Sequence, residues 1–74
     1  MVILKNIVRS KDSISTDYYP EGKAVKGFME ISRVNGGIIK HSVASAFAAP
    51  HVKRELERLA KLEEPPKEKM VYWY

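Results

Sequence analysis

The chain has 74 residues and no cysteine, which suits a single domain and excludes disulfides and zinc–thiolate sites. Thirteen Lys/Arg against nine Asp/Glu leave a net charge of +4. That excess is mild and spread along the sequence, so charge alone is weak ground for an anionic partner.

The first 43 residues read as strands. VILKNIVR (2–9) is rich in β-branched residues and apolar on both alternating faces, which predicts a strand covered partly on each side. Lys5 interrupts its apolar run, so it is not a signal peptide, and no window approaches the ~18 apolar residues of a membrane span. RSKD (9–12) predicts a turn. SISTDYY (13–19) alternates Ile14, Thr16 and Tyr18 against Ser15, Asp17 and Tyr19, as a half-buried or edge strand would. PEG (20–22) is turn chemistry. KAVKGFMEISR (23–33) predicts the next strand, with Gly27 at a bulge or a close approach.

VNGG (34–37) predicts a hairpin with two registers. A two-residue Asn35-Gly36 turn sets Ile31 opposite Lys40. A three-residue loop with Gly36 in the left-handed region sets Ile31 opposite Ile39, Glu30 opposite Lys40 and Met29 opposite His41. The second register pairs apolar with apolar and opposite charges with each other, and is preferred. It places Met29, Ile31 and Ile39 on the core face, with His41 at its far end.

From Ser42 the pattern turns helical. Val52, Leu56, Leu59, Ala60 and Glu63 fall at helical spacing, with Ala48 in phase before them. Pro50 either starts the helix after a separate short turn or kinks it. Phe47 favours the first, since an unbroken helix would point it away from Leu56. EEPP (63–66) ends the helix, and KEKMVYWY (67–74) reads as a last strand. The expected fold is α+β: an antiparallel sheet of four to five strands in β-β-β-β-α-β order, with one helix on one face and one domain over residues 1–74.

Two groups of residues are candidate binding sites. Tyr72, Trp73 and Tyr74, with Tyr18 and Tyr19, could form a protein-interaction surface. Alternation puts Tyr72 and Tyr74 on one face and Trp73 on the other. A core role is favoured for Trp73. His51, Arg54, Arg58 and Lys61 recur at i, i+3, i+7 and i+10, within about an 80° arc of the helix. Such a stripe could track phosphates, but Glu55 and Glu57 flank it, which favours a solvated helix face. Asp17 and Glu21 flank a turn and lack the third oxygen ligand of a cation site.

Enzyme patterns are missing. His41 and His51 form neither HxxxH nor HExxH, and there is no P-loop, GxGxxG or nucleophile elbow. A domain this small buries only about 60% of its unfolded surface and struggles to enclose a catalytic pocket. No catalytic residue, cofactor or metal is predicted.

IVRSKDSISTDYYPEG, the AAPHVKRELERLAK helix and the closing PPKEKMVYWY resemble a group of small uncharacterised proteins of Gram-positive bacteria and their prophages. The DYYPEG turn and the terminal WY carry most of that likeness, which spans nearly the whole chain. The resemblance implies a cytoplasmic bacterial setting and no assigned activity. The expectation is a non-enzymatic, cytoplasmic binding module. It would act by protein interaction or by homodimerisation through the aromatic terminal strand, with a nucleic-acid accessory role as the alternative.

Overall fold

A computed structural model describes residues 1–72. Its elements are β1 (Val2–Arg9), β2 (Ser13–Pro20), β3 (Gly27–Ser32), β4 (Ile38–Ser42), α1 (Ala49–Leu59) and β5 (Lys69–Val71). The five strands form one antiparallel sheet in the order β4-β3-β2-β1-β5, so the fold is α+β as expected. Among the described residues no helix is long and apolar enough to cross a membrane.

One face of the sheet packs on α1. Val2, Leu4, Ile7, Ile14, Tyr18, Met29 and Ile31 meet Ala48, Val52, Leu56 and Leu59 there, all buried. β2 is therefore an interior strand and not an edge. Its Ile14, Thr16, Tyr18 alternation does face the core.

β1 departs from simple alternation. Asn6 adopts φ +55°, and between Lys5 and Val8 the pairing slips, so Asn6 and Ile7 together oppose Thr16. This is a β-bulge, and asparagine tolerates the left-handed region better than most residues. The slip puts Leu4 and Ile7 on the same face although they are three apart. The groups it frees are met elsewhere. Ile7 N–H donates to the Lys67 carbonyl at 3.0 Å, and the buried Thr16 hydroxyl lies 3.0 Å from the Lys5 carbonyl.

The β3–β4 hairpin has Gly36 at φ +75°, and Met29 opposes His41 and Glu30 opposes Lys40 as expected. The next pair differs. Ile31 meets Ile38, because a second bulge at Ile39 shifts the register there. Ile39 is accordingly 57% exposed and is not a core residue. The third strand is also shorter than expected, since Lys23–Lys26 belong to the loop before Gly27.

α1 begins at Ala49 with Pro50 in its first turn, where the missing N–H costs nothing, and a separate turn over residues 46–48 precedes it. It stops at Leu59, earlier than EEPP suggests. Lys61 and Leu62 N–H groups bond three residues back, to Arg58 and Leu59, which tightens the last turn. Arg33 fixes that end. Its Nε donates to the Ala60 carbonyl at 3.3 Å while its Nη1 donates to the Ser10 and Lys11 carbonyls at 3.0 and 2.7 Å.

Candidate functional site

The helix covers one sheet face and leaves the other open. On the open face Ile3 lies opposite both Tyr19 and Met70, giving a cross-strand row over β2, β1 and β5. Tyr72 follows Met70 by two residues, so it joins that face, and its hydroxyl donates to the Met70 sulfur. Met70 is 44% and Tyr72 62% exposed. The Lys5 ammonium lies 5.5 Å from the Tyr19 ring centroid, within cation–π range. This corner borders β5, an edge strand paired only with β1 among the described residues.

Tyr18, another candidate contact, is fully buried and so is removed from any surface. Its ring lies against Gly27, and its hydroxyl lies 2.8 Å from His41 Nε2 while accepting the Ala44 N–H at 3.1 Å. The Ser42 carbonyl, 3.5 Å away, is a further acceptor for the same hydroxyl. Trp73 and Tyr74 lie outside the described residues.

The opposite edge carries a feature that sequence reasoning missed. A cleft of about 400 Å³ lies between β4 and the start of α1. Met29, Ile38, Val43, Ala46 and Pro50 make it mostly apolar, with His41 and Lys53 as its polar members. The bulge at Ile39 builds it, because Ile38 and His41 would face opposite ways in a regular strand. Phe47, 87% exposed, lies in the same connecting segment. In the sequence the hint was Phe47, a large apolar residue off the Val52, Leu56 and Leu59 face.

The helix stripe is partly neutralised. Arg58 donates to Glu55 through Nε and Nη2, the latter at 2.6 Å, and Lys69 of β5 approaches the same carboxylate at 3.4 Å. The Arg58 hydrogen bond, assisted by the charges of Arg58 and Lys69, holds the Glu55 carboxyl below its ordinary value. Lys53 pairs with Glu57. Arg54 and Lys61 are exposed, and neither makes an ion pair among the described residues, while His51 is half-buried. Asp17 and Glu21 are not brought together. Asp17 accepts from Asn6 at 2.9 Å, and Glu21 contacts the Met1 amino group at 2.8 Å. Among the described residues no group of His, Asp and Glu side chains is placed to hold a metal ion.

No family model, no curated protein and no solved structure matches the chain.

Proposed function

We propose that this protein is a small interaction module without chemistry of its own, and that it self-associates through the β5 edge and the open-face corner beside it. The row Tyr19–Ile3–Met70, extended by Tyr72, carries this reading. It sets apolar and aromatic surface on an uncovered sheet face next to an edge strand, and edge strands are ready templates for pairing. A domain this small also gains stability by burying further apolar area against a copy. The bacterial cytoplasm is the proposed setting. It is supported by the lack of cysteine and by the resemblance of the DYYPEG and WY segments.

Light scattering over a concentration series tests this. The wild type should exceed its monomer mass of 8.5 kDa as concentration rises. Met70→Asp should stay monomeric with little change in melting temperature, because Met70 lies on the open face. A wild type that remains monomeric at high micromolar concentration rejects self-association.

A nucleic-acid role is the second reading. Exposed Arg54 on α1 and Lys61 in the turn that follows it favour this reading, as does Lys40, whose ammonium lies 6.0 Å from the Phe28 ring centroid on the open face. Against it, Arg58 is committed to Glu55. Binding of a single-stranded oligonucleotide should weaken steeply with added salt, as counterion release requires. Salt-insensitive binding, or none at low salt, removes this reading.

A further inference from the structure

We propose that the β4 edge and its adjoining cleft form a second docking site, which takes an extended polypeptide segment with alternating large apolar and acidic side chains. β4 is the other end of the sheet and pairs only with β3 among the described residues. An incoming strand can add to such an edge through its backbone, with side-chain pockets supplying selectivity. Successive residues of that strand would point to opposite faces.

Those faces differ here. On the α1 side they meet Ile38 and the apolar cleft, whose volume is at the small end of ordinary ligand clefts. On the open side they meet Lys40, which stands over Phe28 and has Glu30 opposite it on β3, the side away from the edge. Among the described residues no carboxylate lines the cleft, and its lysine, Lys53, is paired with Glu57 outside it. Charge and polarity thus ask for apolar side chains on one face and carboxylates on the other. The cleft is also held in shape before anything binds. The Tyr18 hydroxyl, itself buried, ties His41 on the strand to Ala44 at the start of the connecting segment.

The same features disfavour a second copy as occupant. β4 against β4 brings Lys40 of each chain toward its twin in the central registers, a like-charge clash that an acidic strand avoids. A lysine on a short edge strand is a device that resists indiscriminate edge pairing.

The test is an NMR titration of isotope-labelled protein with the synthetic peptide Thr-Glu-Leu-Glu-Val-Glu-Thr. The control is Thr-Glu-Glu-Glu-Leu-Val-Thr, which has the same composition and charge but no alternation. Shifts should concentrate at residues 38–47 and the first turn of α1, and the control should bind about tenfold more weakly or worse. Lys40→Glu should weaken binding of the alternating peptide about tenfold, and replacing its glutamates with lysines should restore binding to that variant. Ala46→Glu, an exposed change at the cleft, should abolish binding without lowering the melting temperature. Equal affinity for both peptides, shifts elsewhere, or no binding would overturn the proposal. So would concentration-dependent broadening of residues 38–42 in the protein alone, which would assign the edge to a second copy.

Discussion

Gly27 stands where a methyl group has no room. A Cβ there would lie 2.4 Å from Cζ of Tyr18, whose ring is fully buried. The backbone at Gly27 is not in the left-handed region, so the effect of Gly27→Ala is purely steric. It should cost about 1–3 kcal/mol, the usual range for overpacking a core, and lower the melting temperature accordingly. Tyr18→Phe probes the other end of the same ring. It keeps the packing and removes the oxygen shared by His41 and Ala44. The expected loss is about 1–3 kcal/mol, with faster amide exchange at Ala44. Gly27 was recognisable from the sequence as a close-approach point, but its neighbour was not. Nothing local to KAVKGFM says that a tyrosine nine residues earlier will cross to it.

Among the elements, β5 is the shortest, and its attachment to the rest is specific. Val71 packs against the core, the Lys67 carbonyl accepts from Ile7, and Lys69 reaches Glu55 on the helix. Glu55 is mostly shielded and its carboxyl is held below the ordinary value of 4.5, chiefly by the Arg58 hydrogen bond. A depressed carboxyl stabilises the fold while it is ionised. That contribution is present above the unfolded value and is lost as pH falls from 4.5 through the folded one. Glu55→Gln should therefore flatten the acid side of the stability–pH curve and speed amide exchange in β5, with little change once the carboxyl is protonated in both the folded and the unfolded chain. Thermal melts across pH with hydrogen-exchange mass spectrometry would read both. The element order was legible because each signal was strong and local. Examples are the prolines around the helix, the alternation of β2, and Asn35-Gly36 in the hairpin. The early end of α1 was not, because Arg33, distant in sequence, helps to secure it.

At the scale of the molecule, the sheet has two edges of unlike character. One carries an apolar and aromatic corner, and the other carries a lysine, a bulge and a cleft. The candidate tyrosines were partly legible. Alternation separates Tyr18 from Tyr19 and sends one inward, but only the sheet order sets Tyr19 and Met70 on either side of Ile3. The cleft was hidden for a different reason. Reading strands by a period of two assumes that every residue takes its turn, and Ile39 does not. Asn6 breaks the same rule, and it allows a statement about chain length. With Asn6 removed, Val2, Leu4 and Ile7 alternate cleanly against Ile3, Lys5 and Val8, and Ile7 falls opposite Thr16 in an unbroken ladder. Deleting one residue from a strand ordinarily turns half of it inside out. Here the shortened chain should keep its core, losing only the Asn6–Asp17 contact and the alignment of Ile7 with Lys67. A folded 73-residue variant, set beside an unfolded one that lacks Ser15 of β2 instead, which would turn Ile14 and Tyr18 to opposite faces, would mark this bulge as a place where the protein can change length by one.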